Sequence, residues 1–232
     1  MVSSMVRQKP HRSAKTRKSK PANRPSKAGR ARRPDSLSEE DWVAAASDLL
    51  AEHNVSAVEI HRLCRRLGVT KGSFYWHFQG RKDLLAAVLD DWERRMTVDV
   101  ANRASRYSIS PAQTLNYLLS LIRKPRPNRS AAIERSVRDW AKFDPMARAA
   151  VIEVDQTRLA FFEELFRKSD FPEKEARIRA YAAYAMMMGD SILKETINTS
   201  YESKDYVDTC VELLSGDRGQ QARSLRALGG SR

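Results

Sequence analysis

The stretch that most constrains the fold is residues 59–92, in which two short helical patterns are separated by a glycine. Apolar residues recur at helical spacing and would form one face of the first helix, namely Ile60, Leu63 and Leu67. Gly68 follows, where a helix can end in the left-handed conformation that glycine adopts without steric cost. Thr70 can then cap a second helix, predicted over residues 71–78. This spacing is typical of a helix-turn-helix, whose second helix enters the DNA major groove.

A glycine turn, an aromatic run and a basic residue follow one another in this stretch. They read Gly68-Val69-Thr70-Lys71-Gly72-Ser73-Phe74-Tyr75-Trp76-His77-Phe78, then Arg81 and Leu84-Leu85. The combination resembles the signature of the TetR family of bacterial transcriptional regulators, over about residues 38–92. The resemblance implies an all-α fold, with an N-terminal three-helix helix-turn-helix DNA-binding domain and a larger helical ligand-binding and dimerisation domain.

The resemblance also implies which side chains contact DNA. Lys71 and Ser73 would reach base edges, and lysine can donate to guanine. Tyr75 and His77 would hold phosphates, while Trp76 would pack on a thymine methyl group or a sugar. The full set of implied contacts is His61, Thr70, Lys71, Ser73, Tyr75, Trp76, His77 and Arg81. The carboxylate of Glu59 would repel phosphates unless it faces away or caps the first helix.

The rest of the chain is predicted to be helical, because it has no alternating strand pattern. Capping patterns at Ser38, Ser110-Pro111 and Asp144-Pro145 indicate helix starts, and Ser169 or Asp170 is expected to cap a helix after Pro172. The predicted organisation is a basic tail over 1–35, a DNA-binding domain over 36–82, a ligand-binding and dimerisation domain over 83–215, and a flexible tail over 216–232.

A long helix predicted over residues 173–198 is apolar around much of its circumference. A helix buried on one side should show a single apolar stripe, so this one is expected to meet a second subunit as well. The alternative is a fully buried helix within a monomer. In the TetR family the last two long helices form a four-helix dimer interface, and the candidate interface residues are Tyr181, Ala182, Ala185, Met186, Gly189, Cys210 and Leu214.

A small-molecule site is expected in the body of the protein, because the resemblance implies a regulator that responds to a ligand. Helical domains line their cavities with aromatic side chains. The candidate lining residues are Trp92, Tyr117, Trp140, Phe143, Phe162 and Tyr184.

The net charge of +13 is concentrated at the N-terminus. Residues 1–34 hold 12 basic residues and no acid, whereas the remainder carries 30 basic and 29 acidic residues. A segment this polar cannot bury enough surface to offset its ordering entropy, so we expect it to be disordered. It is either a solvated leader or an arm that tethers the protein to DNA phosphates.

Other classes of function find little support in the sequence. The two cysteines, Cys64 and Cys210, have no partner at metal-site spacing, and the four histidines lie in the first third without a nucleophile beside them. No apolar run is long enough for a membrane span or a secretory signal. We therefore expect no enzyme activity, cofactor, metal or membrane partner, and a cytoplasmic, nucleoid-associated bacterial protein.

The sequence thus predicts a homodimeric regulator, most often a repressor in such families, that binds a palindromic operator on double-stranded DNA and is released by an unknown small-molecule effector. One alternative is a ligand-independent or non-specific DNA-binding architectural protein driven by the basic tail. Others are a co-regulator whose body binds a protein and an enzyme with a DNA-binding head.

Overall fold

The computed structural model describes residues 37–107, 110–123, 129–194, 196–197 and 201–216. The described residues form helices without a strand, which confirms the all-α prediction. The helices are α1 Glu39–Glu52, α2 Ile60–Leu67, α3 Lys71–Tyr75, α4 Arg81–Met96, α5 Val98–Tyr107, α6 Pro111–Ser120, α7 Arg129–Trp140, α8 Pro145–Arg167, α9 Glu173–Leu193 and α10 Ser203–Ser215, with a short 3-10 turn over Val55–Ala57 between α1 and α2. Both predicted tails lie outside the described residues, apart from Gly216.

Three helix starts follow the capping chemistry that the sequence predicts. The Ser38 hydroxyl accepts from the N–H of Asp41, whose carboxylate accepts from the N–H of Ser38 at 2.8 Å. Ser110 forms the same reciprocal pair with Gln113 at the start of α6. The Asp144 carboxylate accepts from two backbone N–H groups at the start of α8. Each cap satisfies donors that the first turn of a helix leaves free.

Two helix predictions were wrong in part, and one helix was not predicted. α3 ends at Tyr75 and not at residue 78, because the backbone N–H of His77 donates to Phe74 in a tighter, 3-10-type bond. The N-cap of α9 is Pro172, without a side-chain cap, and neither Ser169 nor Asp170 has that role. The helix that was not predicted is α5, which follows a break at Thr97.

The apolar residues form two clusters. The first, here called the head cluster, joins α1–α4 to α7 and the first half of α8, and its buried members include Trp42, Leu63, Phe74, Trp92, Val137 and Trp140. Buried contacts therefore continue across residue 82, from the helix-turn-helix into α7 and α8. The domain boundary at that residue stays a prediction.

The second cluster, here called the body cluster, joins α5, α6, the second half of α8, α9 and α10. Its buried members include Leu115, Leu118, Phe162, Phe166, Ala180, Tyr184, Cys210 and Leu214. Among the described helices, none combines the length and apolar character that crossing a membrane requires.

Candidate nucleic-acid interface

The turn between α2 and α3 has the predicted glycine geometry. Gly68 adopts φ 68° and ψ 32°, and its N–H donates to the carbonyl of Cys64. A residue with a Cβ would be strained in this left-handed conformation, which explains the glycine. Thr70 precedes α3 in extended conformation but makes no side-chain capping bond. Its exposed hydroxyl therefore remains available on the surface.

The three N-terminal helices α1–α3 are here called the head. Aromatic contacts fix α3 on the rest of the head. Phe74 is fully buried and meets Trp42 edge to face, with ring centroids 5.3 Å apart. The Phe74 ring also stacks on Phe78 at 5.5 Å. These contacts agree with the core role expected for both phenylalanines, and they hold the opposite face of α3 towards solvent.

The outward side of α3 exposes large side chains that are ordinarily buried. Trp76 is 85% exposed and Tyr75 is 58% exposed. Lys71 is also exposed, while Ser73 and His77 are half-buried. An exposed lysine and an exposed tyrosine one turn apart, with the exposed Trp76 after them, offer both a charge and apolar faces to a nucleic acid.

An open depression of about 240 Å³ lies beside this surface. It is lined by Glu59, Ile60, His61, Lys71, Tyr75 and Arg81. Four of the eight predicted DNA contacts therefore share one concave surface, whereas Thr70, Ser73, Trp76 and His77 are not part of its lining. A cation, an imidazole and a phenol around one depression provide donors suited to a phosphate group.

Arg81 has an unexpected structural contact. Its Nε donates to the carbonyl of Val58 at 2.6 Å, and one terminal nitrogen donates to the carbonyl of Val55. The guanidinium group thus holds the connection between α1 and α2 against the start of α4. A contact between Arg81 and a phosphate stays a prediction, and it would have to use the remaining N–H groups.

Glu59 precedes α2 but makes no capping bond with its side chain. Its carboxylate lies 3.2 Å from His61 Nε2 and 3.6 Å from Arg62 Nε. The guanidinium of Arg62 therefore offsets part of the negative charge that was predicted to be unfavourable near phosphate, and His61 lies within hydrogen-bond distance of the same carboxylate.

The predicted DNA contacts did not include the arginines of α2. Arg62 and Arg65 are exposed on this helix. Arg66 differs, because it forms a two-pronged ion pair with Glu52 of α1 at 2.7 Å. The spacing of Arg62 and Arg65 by one helical turn was the available signal for a basic edge next to the depression.

The six candidate ligand-binding aromatics do not come together in one place. Trp92 and Trp140 belong to the head cluster, whereas Phe162, Tyr184 and the partly buried Tyr117 belong to the body cluster. Phe143 is 88% exposed and belongs to neither cluster, so its place in a ligand-binding site stays a prediction. α7 ends at Trp140, so Phe143 lies in the following turn, outside the helical periodicity that buries Trp140.

The candidate dimer-interface residues also divide. On α9, Tyr181 is 68% exposed and Ala185 is exposed, while Ala182, Met186 and Gly189 are half-buried. The assignments of Cys210 and Leu214 were wrong, because both are at most 5% exposed within the body cluster. Successive turns of α10 direct both side chains inward, and Leu213 is instead the exposed leucine.

Across the described ranges, no group of three or more histidine, cysteine, aspartate or glutamate side chains is arranged to hold a metal ion. The chemistry of this surface is thus that of hydrogen-bond donors, cations and aromatic faces.

Residues 43–88 match the model of a family described as bacterial regulatory proteins, tetR family. The chain is 33% identical over 57 residues to the HTH-type transcriptional regulator SrpR of Pseudomonas putida, an alignment that covers 25% of this chain and 27% of SrpR. It is 32% identical over 57 residues to the HTH-type transcriptional regulator TtgW of the same species, covering 25% of this chain and 42% of TtgW. The chain therefore matches less than half of the length of either relative.

Solved structures resemble most of the chain. A transcriptional regulator of Saccharomonospora viridis in complex with choline has a TM-score of 0.63 at 18% identity, covering 77% of this chain and 96% of that one. FadR of Bacillus subtilis in complex with stearoyl-CoA has a TM-score of 0.58 at 13% identity, covering 75% and 96%. At these identities the likeness shows that the fold is shared.

Proposed function

We propose that the chain, whose residues 43–88 match the model of the tetR family of bacterial regulatory proteins, is a homodimeric repressor of that family. It binds a palindromic operator and is released by a small molecule bound in its body. The observation that carries the proposal is the outward side of α3, where Trp76 is 85% exposed beside the exposed Tyr75 and Lys71. Burying these groups against DNA accounts for side chains that otherwise face water unfavourably.

In this proposal α3 lies in the major groove with its N-terminal residues at the base edges. Lys71 and Ser73 read bases, and Trp76 packs on a thymine methyl group or a sugar. The depression beside α3 accepts a phosphate, which His61 and Tyr75 help to hold, while Thr70 and His77 contact phosphates on either side of α3. Arg81 contributes chiefly by holding the α1–α2 connection in place.

The proposed dimer forms through α9. Its exposed and half-exposed apolar and small residues lie within one helical face, in the order Ile178, Tyr181, Ala182, Ala185, Gly189 and Ile192. A continuous stripe of this kind is typical of a protein interface, and its small residues permit close helix approach. A two-fold axis through α9 would present two heads to two half-sites.

The proposed effector site lies in the body cluster, to which Tyr117, Phe162 and Tyr184 belong. Two structures of the same fold contain stearoyl-CoA and choline, which supports small-molecule binding by this kind of body. Binding there shifts the population towards a state whose heads no longer match the operator.

A second candidate function is sequence-blind DNA binding, favoured by the 12 basic residues among residues 1–34. Such binding releases counterions and depends steeply on salt. In our proposal the tail only adds affinity for any DNA. Deleting residues 1–34 should therefore weaken binding to specific and random DNA alike and flatten the salt dependence.

The deciding experiment is selection of bound sequences from a random DNA pool by the full-length protein at physiological salt, followed by footprinting. We expect an enriched palindrome with a discrete protected region. A variant carrying Lys71→Ala and Trp76→Ala should lose the enrichment, whereas Phe143→Ala is the matched control on an exposed aromatic elsewhere. Binding without enrichment would contradict the proposal and favour the sequence-blind function.

The dimer is tested separately by sedimentation. Tyr181→Glu places a charge in the middle of the α9 stripe, and we expect it to convert the dimer to a monomer. Phe143→Glu introduces the same charge at an exposed aromatic outside the stripe and should leave the dimer intact. A monomeric wild-type protein, or a dimer that survives Tyr181→Glu, would reject this interface.

A further inference from the structure

Five polar side chains form a largely buried cluster where α7, α8 and α9 meet. This junction cluster consists of Glu134 and Arg138 on α7, Asp155 and Arg158 on α8, and Tyr184 on α9. The side chains of Glu134 and Arg158 are only 15% and 12% exposed. Charged residues are seldom buried unless they are paired, so the arrangement requires an explanation in terms of its partners.

Every member of the junction cluster bonds to others. Arg158 donates to both oxygens of Glu134, at 2.7 and 3.0 Å, and Arg138 donates to both oxygens of Asp155, at 3.1 and 2.6 Å. The Tyr184 hydroxyl donates to Asp155 at 2.6 Å and accepts from both arginines. Burial alone would raise the pKa of Glu134, but the two guanidinium groups outweigh it and lower the pKa. The cluster thus holds two positive and two negative charges in balance.

One hydrogen bond joins the junction cluster to α4, the helix that follows the head. Arg158 Nε donates to the carbonyl of Met96, the last residue of α4, in a long hydrogen bond of 3.3 Å. In an uninterrupted helix that carbonyl would accept from the N–H of Val100. Here the helix breaks at Thr97, where φ is −119° and ψ is −79°, and α5 begins one residue later.

The break at Thr97 has a second local contribution. The Thr97 hydroxyl donates to the carbonyl of Glu93 at 2.7 Å, a contact that tends to bend helices. The Met96 carbonyl therefore has two possible partners, the guanidinium of Arg158 or the backbone of a continuous α4–α5 helix. An element with two discrete arrangements of this kind can act as a switch.

Tyr184 connects this junction to the body cluster. Its ring packs near Phe162, with centroids 6.3 Å apart, while its hydroxyl contacts both arginines of the junction cluster. A change in the body cluster that moves this ring must break hydrogen bonds to Arg138 and Arg158.

We propose that the junction cluster keeps α4 and α5 separate through the Arg158–Met96 contact, and that Tyr184 passes changes in the body cluster to α4 and the head. Arg158 is a positioning residue in this scheme, because it acts on DNA binding only through α4. The separation of the two helices stands on its own, whereas the effect on the head rests on the proposed function.

The helix separation is tested by measuring the distance between spin labels attached to cysteines at Asp90 on α4 and Arg106 on α5, two exposed positions. Both native cysteines are buried, so the introduced ones react preferentially. In Arg158→Met we expect the distribution to broaden and to shift towards a continuous helix, about 24 Å between the two backbone sites. Arg167→Met is the matched control, since Arg167 lies on the same helix and pairs with Glu164 at the surface.

A milder variant, Arg158→Lys, keeps the test valid if Arg158→Met does not fold. Arg158→Lys keeps a positive charge beside Glu134, but its single amine cannot span both Glu134 and Met96 as the planar guanidinium does. We expect a shift in the same direction as for Arg158→Met. A distance distribution equal to that of the wild type in the folded Arg158→Lys protein would overturn the proposal.

The link to the head is tested with the DNA sequence selected by the wild-type protein. Arg158→Lys should bind that sequence about tenfold more weakly while its affinity for random DNA is unchanged. An altered label distance with unchanged specific affinity would overturn the link. If the wild-type protein selects no sequence, the proposed function fails, and the label distance still decides the helix separation.

Discussion

The region around α3 and the junction cluster both depart from the usual distribution of residues. Large aromatic side chains are exposed around α3, whereas charged side chains are buried in the junction cluster. Directly after the last residue of α3, the Trp76 side chain is 85% exposed. In the junction cluster, Glu134 and Arg158 are withdrawn from water almost completely. Both arrangements cost free energy unless something compensates, because exposed apolar surface and buried charge are each unfavourable.

The difference lies in where the compensation is found. The junction cluster meets its requirements within the chain, through paired charges and a tyrosine hydroxyl. The Trp76 side chain is turned away from the apolar core, and in our proposal DNA covers it. In our proposal the exposed aromatic and basic side chains around α3 form the contact surface for DNA, whereas the junction cluster acts within the protein.

The largest expected effect compares two aromatics three residues apart. Trp140 is 6% exposed in the head cluster and Phe143 is 88% exposed. We expect Trp140→Ala to lower the free energy of unfolding by about 3 to 5 kcal/mol, because it leaves a cavity. Phe143→Ala should change it by less than about 0.5 kcal/mol. Urea unfolding measures both variants. Equal losses of unfolding free energy would contradict the expectation that only the buried aromatic stabilises the fold.

An intermediate effect is expected for Trp76→Ala. Affinity for the selected DNA sequence should fall about 10- to 100-fold, since the indole loses its contact with a base or a sugar. The free energy of unfolding should stay within about 0.5 kcal/mol of the wild-type value. A destabilised protein with unchanged DNA affinity would show that Trp76 supports the fold and does not form the contact surface.

The smallest effect concerns acid stability. The pKa values of Glu134 and Asp155 lie below their ordinary values of 4.5 and 3.8, because neighbouring arginines outweigh the effect of burial. A depressed pKa stabilises the folded state above the unfolded pKa, and this stabilisation is lost as the pH falls through the folded pKa. We therefore expect the free energy of unfolding to decline below about pH 4.5.

Glu134→Gln should make this decline shallower, because one carboxylate of the junction cluster no longer titrates. The control is Glu164→Gln, which removes a surface carboxylate on α8 and should leave the decline nearly unchanged. Urea unfolding between neutral pH and about pH 3 measures both. An identical decline in Glu134→Gln and wild type would mean that Glu134 does not share in the acid response.

Local patterns in the sequence were sufficient for the helix-turn-helix turn and for several helix starts. Gly68 predicted the turn, because only a residue without a Cβ adopts its left-handed backbone freely. Ser38 and Asp144 predicted helix starts, since a cap and its helix lie within four residues. The exposed aromatic side of α3 followed from the resemblance of the same short stretch to a known family.

Contacts between distant residues required the tertiary structure. Helical periodicity marks an apolar face but does not say whether that face meets the same chain or another, so Cys210 and Leu214 were assigned to the wrong surface. The sequence likewise does not show which charged residues have buried partners, so the burial of Glu134 and Arg158 was not predicted. The sequence by itself determined the helical class, three helix starts and the turn before α3, because capping and turn chemistry act between neighbours. Only the packing of α7, α8 and α9 decided which charges are buried, because burial depends on residues far apart along the chain.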